Sequence, residues 1–178
     1  MIRPDEFVHN QLLQATRDPE YEIDARVESL INVARKVWTS GDAKRATPIL
    51  AEALQAATST SNSRMLLNKV ALAQAEFGDP DGAQKVLNDV AVDSLKSNDW
   101  DAAAESAISM ASLGRRTQSL QLVDRIGKRA DRHQLRSKVA LAFASAGAVE
   151  ASLDLVQTWR IAPIHAFSLW IFLPHRLL

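Results

Sequence analysis

Residues 67–87 read LNKVALAQAEFGDPDGAQKVL. Leu67, Val70 and Ala71 stand at helical spacing, and Gly78 then breaks the run. Asp79-Pro80 supplies an N-cap acid followed by a proline suited to the first helical position. A second periodic run carries Ala83, Val86 and Leu87. A helix, a glycine in left-handed conformation closing it, and a second helix account for every residue. The Gly78–Gly82 segment superficially resembles a calcium loop. It lacks a third acidic ligand, however, and has Val90 where the closing glutamate belongs.

The pattern recurs. Glycines stand at 41, 78, 114 and 147, spaced by 37, 36 and 33 residues. Seven residues before each is an alanine: Ala34, Ala71, Ala107 and Ala140. Five after come Ala46, Ala83, Ser119 and Ser152, and nine after come Leu50, Leu87, Val123 and Val156. One shared column means little, but several agreeing columns define a repeat. Small residues on both sides of the turn let two helices approach closely, and the aliphatic positions fill the groove between neighbouring hairpins.

Working outward from the glycines, the apolar periodicity predicts helices over 4–16, 20–39, 43–57, 64–77, 80–95, 99–113, 116–130, 133–146 and 149–160. Asp18-Pro19 and Asn98-Asp99 read as further helix starts, the polar run 58–63 as a connector, and Pro48 as a delay or kink. The expected organisation is one all-α domain. It comprises an N-terminal helix within 1–22, an α-solenoid of about four helix–turn–helix repeats over 23–160, and an apolar segment over 161–178.

Composition agrees. Ala and Leu fill 49 of the 178 positions and Gly only six, which favours helix over collagen-like, disordered and β-sandwich classes. Cysteine is absent, which excludes disulfides, thiolate metal sites and a cysteine nucleophile. No secretory leader is expected at MIRPDEFVHNQLLQ, and the apolar run 166–173 is far shorter than a bilayer helix needs. A soluble, cytoplasmic setting is the expectation.

On these columns the chain resembles the tetratricopeptide-repeat family, whose unit is about 34 residues. The match rests on the small residue of the first helix, the glycine turn, and the small and bulky residues of the second helix. It covers roughly residues 24–160. The chain departs from the family at Ala103 and Arg136, where Trp or Leu is usual. It departs again at Thr58, Leu95, Asp131 and Ile164, where Pro is usual. The resemblance implies a concave groove lined by the first helix of each pair, with Arg35, Trp38, Asn68, Glu76, Ala111, Ser112, Gln134 and Ser145 facing it. Trp38 stands where the other units have alanine, which suits an anchor or a packing residue. The Lys/Asn set with which some members clamp a peptide carboxylate is not present as a set.

Residue chemistry points away from catalysis. No two of His9, His133, His165 and His175 are three or four apart, so no helix face offers a metal pair. Phosphate-binding glycine loops and nucleophile elbows are missing from the sequence. The expectation is therefore a non-enzymatic module without cofactor or metal that binds a protein or peptide through the groove or tail. An alternative is nucleic-acid binding. Arg115, Arg116, Arg125, Lys128, Arg129, Arg132, Arg136 and Lys138 form a basic stripe with only Asp124 and Asp131 interspersed, although aromatic residues for base stacking are lacking there.

After Trp159 the chain turns apolar, with Phe167, Trp170 and Phe172 the bulkiest residues. A solenoid end needs a polar outer face. Three arrangements accommodate the segment: a buried cap, an interface with a partner or a second copy, or an interior piece of a longer array.

Overall fold

A computed structural model describes residues 22–60, 63–126 and 132–161. Among them are eight helices and no strand: α1 (Ile23–Thr39), α2 (Ala43–Ala57), α3 (Ser63–Glu76), α4 (Pro80–Ser97), α5 (Trp100–Ser112), α6 (Arg116–Ile126), α7 (Arg132–Ser145) and α8 (Val149–Ile161). The fold is all-α. Helix α1 starts at Ile23 rather than 20, and α2 runs on through Pro48 from Ala43 without delay. The expected helix over 4–16 and the Asp18-Pro19 start lie outside the described residues.

Each glycine of the repeat closes the first helix of a hairpin in the same way. Gly41, Gly78, Gly114 and Gly147 have φ of 89°, 86°, 69° and 79°. The next residue's N–H reaches back five residues: Asp42 to Val37 O, Asp79 to Gln74 O, Arg115 to Met110 O and Ala148 to Phe143 O, at 2.9–3.2 Å. Each glycine N–H also bonds the carbonyl three residues back. This double closure is the Schellman arrangement. A Cβ added at any of the four would meet nothing within 4 Å. Glycine is therefore demanded by backbone handedness, worth about 1–2 kcal/mol per position, and not by lack of space. Aspartates then cap the following helices: Asp42 Oδ1 accepts from Arg45 N at 3.2 Å, Asp79 Oδ1 from Gly82 N at 2.9 Å, and Asp99 Oδ1 from Ala102 N at 3.1 Å.

The small columns lie where the helices cross. Ala34, Ala71, Ala107, Ala46, Ala83 and Ser119 are fully buried and Ala140 nearly so. In the third hairpin the two columns touch, because Ser119 Oγ donates to Ala107 O at 2.7 Å. Leu50, Leu87 and Val123, nine residues past their glycines, are buried as well. The apolar interior forms two clusters. One runs from Val27 to Ala73 and the other from Ala71 to Leu155, and α3 contributes to both.

Helices pair as hairpins, α1 with α2, α3 with α4, α5 with α6 and α7 with α8. The second helix of each hairpin also packs on the first helix of the next one. In addition the first helices stack directly, α1 on α3, α3 on α5 and α5 on α7, while second helices touch one another slightly at most.

Candidate functional site

The first helices present one continuous open face. Counted back from each glycine, its positions are 13, 9, 6 and 2 residues away, an i, i+4, i+7, i+11 stripe. These residues are Glu28, Asn32, Arg35 and Thr39 on α1, and Met65, Lys69, Leu72 and Glu76 on α3. On α5 they are Asp101, Glu105, Ile108 and Ser112, and on α7 Gln134, Lys138, Leu141 and Ser145. Every one is at least partly exposed.

Among the described residues two hollows mark the face. The first, about 310 Å³, lies between α1 and α3 over Ile31 and Leu72. Its charges are already matched. Lys69 Nζ pairs with Glu28, and the Arg35 guanidinium forks onto Glu76 at 2.7 and 3.1 Å. Exposed pairs of this kind contribute about 0–1 kcal/mol each, and they leave little unmet charge for a ligand.

The second hollow, about 260 Å³, lies between α3, α5 and α7. Met65, Trp100, Ala104, Ile108 and Leu135 give it apolar walls, and Asp101, Glu105, Gln134 and Lys138 give it a polar rim. Neither Asp101 nor Glu105 has an ion-pair partner among the described residues. An apolar pocket rimmed by unpaired carboxylates suits an apolar side chain with a cation beside it.

Several residues expected in the groove lie elsewhere. Asn68 is 1% exposed. Its Oδ1 accepts from Ser106 Oγ at 3.0 Å, and its Nδ2 points to Ala102 O at 3.4 Å, so it serves the contact between α3 and α5. It stands ten residues before its glycine, which turns it roughly 70° off the open stripe at 100° per residue. Ala111 is buried for the same reason. Trp38 is half-buried and stacks on Phe77, with ring centroids 4.8 Å apart and planes 6° from parallel. It thus ties the first hairpin to the second. Arg35, Glu76, Ser112, Gln134 and Ser145 do lie on the face, the first two bound to each other. The sequence reading missed Met65, Trp100, Asp101, Glu105 and Ile108. The spacing of Asp101, Glu105 and Ile108, at i, i+4 and i+7, was the signal available.

Three arginines of the basic stripe are engaged in ion pairs. Arg115 pairs with Asp81 at 3.1 Å, Arg116 with Asp154 at 2.7 Å and Arg136 with Asp124 at 3.2 Å. Asp81 thereby has a structural role, as does its neighbour Asp79, and the resemblance to a calcium loop is explained without a cation. Arg125 is exposed on α6. Lys128 and Arg129 lie outside the described residues, as do Phe167, Trp170 and Phe172; Arg132 opens α7.

Elsewhere Arg64 bridges Asp93 at 2.7 Å and Asp99 at 3.0 Å. Hydrogen bonds to these carboxylates, Asp93 first, hold its guanidinium above the ordinary arginine range. Arg64 therefore stays charged and joins α3 to α4 and to the start of α5. Among the described residues no group of three or more His, Asp or Glu is placed to hold a metal ion. No helix there is long and apolar enough to cross a membrane. Comparison of the chain with protein-family models, with curated proteins and with solved structures gives no match.

Proposed function

We propose that the chain is a non-enzymatic helical-repeat module of tetratricopeptide-like type that binds a protein segment along the open face of its first helices. The four glycine turns, alike in φ and in hydrogen bonding, and the direct stacking of first helices support a short solenoid. Helices that meet on one side and hardly touch on the other curve the stack toward the side that meets, which puts α1, α3, α5 and α7 on the inner surface. The observation that carries the functional reading is the hollow between α3, α5 and α7, apolar inside and rimmed by Asp101 and Glu105. Its ligand is then a peptide segment with a large apolar residue flanked by Lys or Arg.

A peptide library displayed on phage tests this. Selected sequences are expected to combine an aromatic or aliphatic residue with a neighbouring base. The double reversal Asp101→Lys, Glu105→Lys is expected to weaken the selected peptide at least about tenfold, since close charge pairs at interfaces couple by 1.5 kcal/mol or more. Asp101 is exposed and Glu105 partly so, and neither belongs to the apolar clusters, so the fold should survive. Reversal of Arg125 should leave peptide binding unchanged. Binding of a single-stranded RNA probe that needs Arg125, with no peptide selected, would replace this reading by the nucleic-acid one.

A further inference from the structure

Second helices hardly touch one another, and between α4 and α6 this leaves a hollow of about 160 Å³. Both walls follow one helical spacing. Asn88, Ala91, Val92 and Leu95 stand at i, i+3, i+4 and i+7 on α4, and Gln118, Gln121, Leu122 and Arg125 repeat that spacing on α6. Met110 of α5, which packs on both helices, also lines it. Ala91, Met110 and Leu122 are buried, Leu95 is half-buried, and Val92 is 47% exposed. The interior is thus apolar, and the rim consists of three primary amides and a guanidinium. None of these residues lines the hollow between α3, α5 and α7.

The polar rim is unmet. Among the described residues, the side chains of Asn88, Gln118, Gln121 and Arg125 have no hydrogen-bond or ion-pair partner, whereas Arg115, Arg116 and Arg136 are each paired. No carboxylate lines the hollow. Asp93 and Asp124, which adjoin Val92 and Arg125 in sequence, are held by Arg64 and Arg136. Nor is the positive charge a property of the repeat. Counted from the turn glycine, Gln121 and Arg125 of α6 correspond to Lys85 and Asp89 of α4, a pair of opposite sign.

Size, charge and hydrogen bonding together select the occupant. Pockets for small molecules begin at roughly 300 Å³, so this hollow suits one side chain of a larger molecule. A guanidinium without a carboxylate beside it favours an acid. A primary amide offers two donors and an acceptor, which match the free N–H and C=O groups of an extended segment. A helical segment has already spent those groups on itself. Aromatic rings on which a base could stack are missing from the lining.

We propose that the groove between α4 and α6 binds a second, extended peptide segment, whose apolar side chain fills the hollow and whose neighbouring Asp or Glu pairs with Arg125. Asn88, Gln118 and Gln121 hydrogen-bond its backbone. The chain then carries two grooves of opposite charge preference, one on its first helices and one on its second, and can hold two segments at once. This inference does not rest on the hollow between α3, α5 and α7, with which it shares no residue.

A displayed peptide library that omits Lys and Arg cannot supply the base that the first hollow favours, so panning it on the full chain isolates the second. Enriched sequences are expected to carry an aliphatic or aromatic residue next to Asp or Glu. The tightest of them, made as a free peptide, is expected to bind Arg125→Glu and Val92→Glu at least about tenfold more weakly than the unaltered chain. Lys85→Glu, at the counterpart of Gln121 on α4, should leave binding unchanged. Arg125→Gln, which keeps a polar side chain and loses the charge, should weaken binding in the same direction and keeps the test open if a charge reversal unfolds the chain. Enrichment of no acidic sequence would overturn the proposal, as would an acidic peptide that binds every variant equally. A uridine oligonucleotide bound through Arg125, with no peptide enriched, would overturn it in favour of nucleic acid. Self-association of the chain that Val92→Glu abolishes would overturn it in favour of a second copy.

Discussion

Asn68→Asp is expected to destabilise the chain by about 3 kcal/mol or more, whereas Asn68→Leu is expected to be nearly neutral. Asn68 is 1% exposed between α3 and α5, with Oδ1 receiving the Ser106 hydroxyl and Nδ2 directed at Ala102 O. A carboxylate there keeps the first contact but turns its second oxygen onto a carbonyl, and it buries a charge that the Ser106 hydroxyl alone does not compensate. Leucine removes the amide, yet leaves the site satisfied, because Ser106 Oγ also donates to Ala102 O at 3.0 Å. Urea unfolding at pH 7 measures both changes. The aspartate deficit should shrink as pH falls toward 4. Burial raises the acid's folded pKa above its unfolded one, so the neutral form fits the site and the charged form does not. Equal, small effects for the two variants would put Asn68 on the surface, where the sequence reading had it.

Phe143→Ala is expected to cost about 3–5 kcal/mol, the range for deleting a buried aromatic ring. In a chain of this size that lowers the thermal midpoint by on the order of 10 °C. Phe143 is fully buried and is the largest of the fully buried side chains among the described residues. It belongs to the cluster that links α3 through α8, with Met110, Ile126 and Val139. It occupies the column four residues before the glycine, where the other units have Val37, Gln74 and Met110. The fourth hairpin thus relies on one ring for volume that others obtain from smaller residues. A loss below about 1 kcal/mol would contradict that packing.

What the sequence made legible were positions where physics admits few residue types. A left-handed helix end selects glycine, and a close helix crossing selects alanine or serine. Gly41, Gly78, Gly114 and Gly147, with the alanine seven residues earlier, therefore located four hairpins with correct helix order. The open face was less legible, because solvent-exposed positions accept Glu, Met, Asp and Gln alike, as Glu28, Met65, Asp101 and Gln134 do at one equivalent site. A register error of one residue then placed Asn68 in the groove and left Met65 and Glu105 out. The ion pairs of the basic stripe were not legible for another reason. Two of its partners, Asp81 and Asp154, lie 34 and 38 residues from the arginines they meet, and only the stacking of hairpins brings them together.

The proposed ligand enters between α3, α5 and α7. Trp100, half-buried at that hollow, carries an indole N–H that reports on it. Titration of a selected peptide into the isotope-labelled chain, followed by amide and indole resonances, is the most direct test. The largest shifts are expected at Trp100, Asp101, Glu105, Ile108 and Gln134, with little change at Gln121 and Arg125 on α6. Shifts concentrated on α6 with Trp100 unmoved would contradict it.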